Sequence, residues 1–503
     1  MDTLYIILAI FWFPNSWIQV VVISLFYSLI YSIFKHYCLP YRVLRRTGIP
    51  FDRPTYLVGN NFDFDPLTLH KRQLEQQKKY GLIYGDFFFT IPTIFIADPE
   101  MIKSIMVTHF SNFCNRFQAI NMPILFEKSI LRIADEPWKR IRTVMIGSFS
   151  AAKLKPIGNL VSDSCRILMI SFDEGFHKNK KVSLTKPCEH LSMHVLLAAA
   201  FGIEFETLKD ESKITEAVNV LFANMPVGLR MVMMLSIRLW EFLEPLMDGK
   251  VLSSMDYLMQ IVLNVINDRR NNIKLNKSCR QDILQMLIEA GDKGKLTDEE
   301  IVAQVFFLMV GGYQTTANTL MFALHSIATN SNVQEKSYNE IQAKYDNNNC
   351  HIDYDFVLEL PYLKMVLEET TRMYPPVIFP DRGVKEDITI NGLLIPKKVM
   401  IGFPTYAIHH NPDYWPNPEE FRPERFTVEE KAKQIPFSYI TFGGGQRHCL
   451  GMRLAKLEVK MAIVNILLKY ELFPVEETKV PLEIKSEATL MPAEEIILGL
   501  KKR

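Results

Sequence analysis

A mainly α-helical domain with small β-sheets, set behind an N-terminal membrane anchor helix, is the fold class this sequence predicts, on three observations. From Thr3 to Phe34 there is no charged side chain. Apolar residues recur at helical spacing over long segments later in the chain, above all from Thr297 to about Thr329 and from Met452 to Tyr470. Strand-like runs are short by comparison, the clearest being Ile83 to Thr90 and Ile94 to Ala97, which flank Pro92 and read as a hairpin.

The 503 residues and their interspersed charges, net +1, suit one large helical unit and exclude a nucleic-acid partner. The seven cysteines are scattered and odd in number, with no CxxC pair, so they read as free thiols in a reducing compartment. There is no internal repeat or low-complexity tract.

Within the N-terminal stretch, broken at Pro14-Asn15-Ser16, Trp17 to Phe34 is long enough for one crossing, roughly 27 Å at about 1.5 Å per residue. Lys35, His36, Arg42, Arg45 and Arg46 follow it and only Asp2 precedes it, which leaves the remainder on the cytoplasmic side. The expected division is an anchor over 1–38, a proline-containing hinge over 39–54 that is a poor helix, and one domain over 55–503. A helix is expected around Leu67 to Tyr80. Ile133 to Met145 places Trp138 and Arg142 on one helical face, an indole N–H beside a guanidinium, a pair suited to an anion. Lys139 and Arg140 point elsewhere on that helix.

Met225 to Trp240 mixes four methionines with apolar residues and fits either a lipid-facing segment or a buried helix pair. Ile261 to Asn276 reads as a polar surface loop. Thr297-Asp298-Glu299-Glu300 is a capping box opening the long helix. In that helix Gly311-Gly312-Tyr313-Gln314-Thr315-Thr316 places two glycines, each costing about 1 kcal/mol relative to Ala, where something must approach the backbone. Glu369 and Arg372 share a helical face ahead of Tyr374-Pro375-Pro376. Asn391-Gly392 signals a hairpin within Asp387 to Ile395. His409-His410 read as a surface loop, and Asn411 to Pro423 as a proline-rich meander.

The chemistry centres on Phe442-Gly443-Gly444-Gly445-Gln446-Arg447-His448-Cys449-Leu450-Gly451. Glycines on both sides of Cys449 let the backbone turn sharply and lie flat against a planar partner. The thiol sits just ahead of a helix N-terminus, whose N–H groups and dipole are expected to favour the thiolate, the form that binds a metal. Arg447 is placed to pair with a carboxylate.

The order Phe-x-x-Gly-x-Arg-x-Cys-x-Gly is the haem-binding signature of the cytochromes P-450, and the sequence resembles that family over nearly its whole length. The local wording of Gly-Gly-Tyr-Gln-Thr-Thr, Arg-Met-Tyr-Pro-Pro and His-His-Asn-Pro resembles the animal microsomal branch of liver drug-oxidising enzymes and thromboxane synthase. The resemblance implies the cytochrome P-450 fold, with haem b held through Cys449 and contacted by Phe442, Arg447, Trp138 and Arg142. It also implies a structural lock of Glu369, Arg372 and Arg425. Val377 to Val384 and the loop Ala488, Thr489, Leu490 would line the pocket, and Lys139 and Arg140 would face a reductase. Phe379 stands where a propionate donor is common, with Arg382 three residues further on, and neither is assigned. Thr315 matches the distal motif, while Gln314 replaces its acid and cannot exchange a proton near neutral pH.

The implied activity is a monooxygenase of the endoplasmic reticulum membrane, with its catalytic domain in the cytosol. It would insert one atom of dioxygen into a small hydrophobic substrate (lipid, steroid or xenobiotic). Electrons would come from NADPH through NADPH-cytochrome P-450 reductase, with cytochrome b5 and membrane lipid as further partners. Two rivals remain: a lipid peroxide or endoperoxide isomerase that needs no reductase, with which Gln314 is compatible, and a non-catalytic haem-binding protein.

Overall fold

Short strands and long helices divide the chain as their hydrophobic periods require. The computed structural model describes residues 23–24, 26–28, 30–31, 42–54, 59–60, 66–88, 91–118, 124–200, 202, 208–222, 249–275, 282–348, 350–487 and 489–503. Its principal helices are α1 (Leu69–Tyr80), α2 (Asp135–Ser148), α3 (Ala151–Asn179), α4 (Thr185–Val195), α5 (Gly249–Lys274), α6 (Ile283–Asp292), α7 (Asp298–Thr329), α8 (Ser331–Asn347), α9 (Pro361–Met373) and α10 (Met452–Lys469). The strands are β1 (Ile83–Phe88), β2 (Ile91–Ile96), β3 (Lys181–Ser183), β4 (Asp381–Gly383), β5 (Ile388–Ile390), β6 (Leu393–Ile395), β7 (Met400–Gly402), β8 (Tyr470–Pro474), β9 (Ile484–Ser486), β10 (Leu490–Pro492) and β11 (Ile497–Lys502).

The capping box forms as written: Glu300 N–H donates to Thr297 Oγ1 at 3.2 Å and Thr297 N–H to the Glu300 carboxylate at 2.9 Å. These bonds satisfy two donors that a helix start leaves open. The helix they open, α7, is apolar on nearly every face, the signature of a buried helix. Ile301, Phe306, Phe322, Leu324 and Ile327 are fully buried along it. It packs against α4, α5, α9 and α10. Each such side chain contributes on the order of 1.5–3 kcal/mol, so this helix is the axis of the core.

The expected hairpin is β1 with β2, Phe88 opposite Ile91, and it extends to a four-stranded sheet in the order β1-β2-β7-β4. Pro92 is tolerated because the parallel pairing of β2 with β7 begins only at Thr93. At Asn391-Gly392 both residues have positive φ, 50° and 79°, as the tight turn between β5 and β6 requires.

Four expectations change. Residues 261–274 are not a surface loop but the second half of α5, with Val262 and Ile266 buried. Their charged neighbours are matched by partners on other elements: Arg269 pairs with Asp282 and Arg270 with Asp298. His409 and His410 are buried rather than on a surface loop. His409 Nδ1 lies 3.0 Å from the Arg372 carbonyl while Ile440 N–H donates to Nε2 at 3.0 Å, the pattern of a neutral ring. Burial likewise lowers His410 to about 3. Within the expected hinge, residues 42–46 form a helical turn whose Leu44 is fully buried against Gly85, where an added Cβ would meet Leu44 Cδ1 at 2.8 Å. The fourth change concerns the charge state of Cys449 and belongs to the site below.

Among the described residues no helix is long and apolar enough to cross a membrane. The anchor expected over 1–38 lies for the most part outside them, as does all of Met225 to Trp240.

Candidate active site

Between α7 and α10 lies a cavity of about 300 Å³. One wall is built by Phe442, Gly443, Cys449 and Gly451 and another by Gly311, Gly312 and Thr315. Two glycines set the first wall. Gly443 and Gly445 take φ of 72° and 62°, and a Cβ on Gly445 would lie 2.1 Å from the Met106 carbonyl oxygen. The turn closes when Cys449 N–H donates to the Phe442 carbonyl at 2.9 Å, and α10 starts three residues on. A Cβ on Gly451 would have no atom within 4 Å, so this face lies open to a flat partner.

The accessible surface of Cys449 is cavity wall, with the sulfur deep inside the protein. The helix start does act on it, since N–H groups of Gly451 and Met452, with the Arg142 guanidinium, lower its pKa. Burial outweighs them and the thiol is pushed up. The expectation that the helix start alone would favour the thiolate is therefore corrected: a cation bonded to the sulfur is needed to hold that charge.

The rim gathers Arg116, Trp138, Arg142, Arg382 and Arg447. Trp138 and Arg142 share a face of α2 as their spacing dictates. Trp138 Nε1, Arg142 Nε and Arg382 Nε are buried donors that have no hydrogen-bond partner. Each costs about 1–3 kcal/mol while unmet. Arg447 differs. It stacks on the Trp138 ring, 4.1 Å to the centroid, and donates to the carbonyls of Cys114 (2.7 Å), Ile130 (3.0 Å) and Ile133 (3.1 Å). Burial lowers its pKa to about 9. Its principal contacts fix the cysteine turn to the segment before α2.

On α7, Thr315 lines the cavity and its hydroxyl donates to the Gly311 carbonyl at 2.9 Å, leaving the oxygen free to accept from water. The close approach expected at the glycine pair occurs: a Cβ on Gly312 would meet Leu196 Cδ2 at 2.8 Å. Gln314 is buried but is not among the lining residues. Its Oε1 accepts from the Thr489 hydroxyl at 2.9 Å, and Asn318 donates to Thr489 Oγ1 and the Leu490 carbonyl, both at 3.0 Å. Thr489 and Leu490 thus brace α7 rather than line this cavity, whereas Val377 and Arg382 do line it; Ala488 lies outside the described residues.

Glu369 accepts from Arg372 Nε (2.7 Å), Arg372 NH2 (2.9 Å) and Arg425 Nε (3.2 Å), all buried, in the three-residue lock read from the sequence. Lys139 is exposed and pairs with Glu136, while Arg140 is tied to Glu300 and the Lys295 carbonyl. Sequence reasoning left Arg382 unassigned and missed Arg116, whose NH1 donates to the Asp381 carbonyl at 3.1 Å. Asn115-Arg116-Phe117 carries no motif, so nothing short of the fold marks it.

The sequence model of the family described as Cytochrome P450 matches residues 49–500. The chain is 33% identical to Cytochrome P450 3A14 of Cavia porcellus over 94% of each chain, and 33% identical to Cytochrome P450 3A5 of Homo sapiens over 92% of each. To Cytochrome P450 3A9 of Rattus norvegicus it is 32% identical over 97% of each. The chain belongs to the cytochrome P450 family, and it is a monooxygenase that works with haem b, dioxygen and electrons derived from NADPH. The cavity fits that group on its own evidence: one sulfur faces it, the surface at Gly451 is flat, and three unmet buried donors at the rim suit the carboxylates of a porphyrin edge.

Proposed function

We propose that Cys449 Sγ is the iron ligand, that Trp138, Arg142 and Arg382 receive the haem carboxylates, and that Thr315 holds water in the space above the ring. In the same reading the chain oxidises hydrophobic substrates of the lipid, steroid or xenobiotic kind, with NADPH-cytochrome P-450 reductase as electron donor and cytochrome b5 as a second one. It does so at the endoplasmic reticulum membrane, tethered by residues 1–38. The observation that carries this reading is the single sulfur facing a cavity whose rim holds unmet buried donors and whose other wall presents Thr315.

Haem b bound there supplies the activation of dioxygen and the insertion of one oxygen atom into the substrate. The protein's share is positional and electrostatic. Cys449 brings negative charge to the iron, and the Gly451 and Met452 N–H groups orient the sulfur. Arg447 and Phe442 fix the turn that presents it, Arg447 through its three carbonyl contacts. Ile130, Phe307, Leu308 and Val377 give the cavity an apolar lining that excludes bulk water and receives an apolar molecule. Gln314 enters as a positioning residue that holds Thr489, not as a group that gives or takes a proton.

The carbon monoxide difference spectrum of the reduced protein tests the ligand: a thiolate-type band is expected, and Cys449→Ser is expected to lose it. With reductase added, NADPH oxidation coupled to product from a panel of lipids, steroids and xenobiotics tests the reaction. Conversion of a fatty-acid peroxide without NADPH, and no NADPH-dependent product, would overturn it in favour of the isomerase, the reading that Gln314 favours.

A further inference from the structure

Dioxygen activation consumes protons, because the second oxygen atom leaves as water, yet residue 314 is an amide turned towards Thr489. Among the residues lining the cavity there is one carboxylic acid, Glu458. It projects from α10 and is 3% exposed. Its hydrogen-bonding neighbour is the Ser192 hydroxyl of α4. That hydroxyl gives its hydrogen to the Tyr313 carbonyl at 3.0 Å, with the Gly312 carbonyl at 3.4 Å. A serine oxygen has one hydrogen to give, so towards Glu458 it is left to accept, and only a protonated carboxyl can donate to it. The titratable groups of adjoining helices that feel Glu458 are Cys165 of α3 and Cys188 of α4, both buried thiols that burial keeps neutral. No guanidinium or ammonium offsets the burial, which pushes the carboxyl well above the usual carboxylate range.

We propose that Glu458 is the proton-holding residue of this cavity, taking over from within α10 the acidic function that Gln314 lacks on α7. The proton leaves Glu458 Oε for a cavity water on the Thr315 side, and the carboxylate takes one back from solvent water entering the same cavity, so no charge accumulates. Ser192 ties this acid to the backbone of the Gly312-Tyr313 turn and keeps it aimed inward. The proposal rests on the monooxygenase reading above, and its test is arranged so that the two fail separately.

Infrared difference spectra of the haem-loaded protein are expected to contain the carbonyl stretch of a protonated carboxyl that vanishes in Glu458→Gln, persists at a shifted position in Glu458→Asp and moves in Ser192→Ala. With reductase and a turned-over substrate, Glu458→Gln is expected to lower product formed per NADPH by about tenfold or more and to raise the solvent deuterium isotope effect, with Glu458→Asp restoring most of both. A wild-type protein with the thiolate carbon monoxide band, whose Glu458→Gln variant keeps its infrared spectrum or its coupling, overturns the proposal and leaves the monooxygenase standing. A wild-type protein without that band overturns the reading beneath it. Should Glu458→Gln take up no haem, the Ser192→Ala band decides: a shift supports the proposal and an unchanged spectrum overturns it.

Discussion

The two buried arginine clusters of this molecule differ in how much of their hydrogen-bonding capacity is used. In the lock, Arg372 gives Nε and NH2 to Glu369, NH1 to the His409 carbonyl at 2.8 Å and NH2 also to the Pro418 carbonyl at 2.7 Å. Arg425 divides its donors between Glu369 and the carbonyls of Pro416 and Asn417. At the cavity rim, Arg142 Nε, Arg382 Nε and Trp138 Nε1 are equally buried and unmet. A saturated buried arginine holds the fold; an unsaturated one is prepared for a ligand, because leaving a buried donor unmet costs stability that only the ligand returns. Arg447, at the rim yet bonded to three carbonyls, belongs with the lock by this criterion.

Breaking the lock is the largest expected effect. Glu369→Ala leaves two buried guanidiniums without their carboxylate and should cost about 3–5 kcal/mol, measured by denaturant unfolding. An unfolding loss below about 1 kcal/mol would dissolve the distinction between the clusters. Next comes the turn that carries the sulfur: Gly445→Ala forces a Cβ onto the Met106 carbonyl at a positive φ and should cost about 1–3 kcal/mol together with most haem uptake.

The rim should respond the other way. Trp138→Phe combined with Arg142→Gln is expected to speed haem transfer to an acceptor protein by about tenfold or more, since charged hydrogen bonds contribute about 1.5–3 kcal/mol. The unfolding midpoint should barely move. A loss of fold with unchanged haem transfer would place these residues with the lock.

The smallest effect lies at the start of α7. The Arg140 hydrogen bond holds the Glu300 carboxyl below its ordinary 4.5, so the stability it contributes is present above that pH and lost as pH falls through the lower folded value. Glu300→Gln should therefore cost up to about 1 kcal/mol at neutral pH, a difference from the parent that closes in acid unfolding below about pH 4. A difference independent of pH would assign the whole effect to the cap geometry.

Local signals survived into the structure wherever one element held all the participants. The capping box, the Asn391-Gly392 turn and the shared face of Trp138 and Arg142 each depend on residues a few positions apart, and each is present. The pairing of Glu369 with Arg372 is of the same kind, whereas Arg425 reached the lock by family likeness. His409 was misread because polar residues beside a proline-rich stretch look solvent-exposed, and the carbonyl and N–H that satisfy its ring come from Arg372 and Ile440. Residues 261–274 were misread for a similar reason, with Asp282 and Asp298 supplying the charges that let Arg269 and Arg270 ride on a packed helix.

The sequence by itself determined the family, the helical class and the sulfur, because the cysteine motif is contiguous and its glycines act on their own backbone. Tertiary structure alone decided the charge environment. It showed that burial outweighs the helix start at Cys449, that Gln314 faces Thr489, and that Arg116 and Arg382 stand at the cavity rim with Glu458 in its lining. Solvation and long-range pairing are properties of what surrounds a residue, and that surrounding exists only once helices distant in sequence have packed.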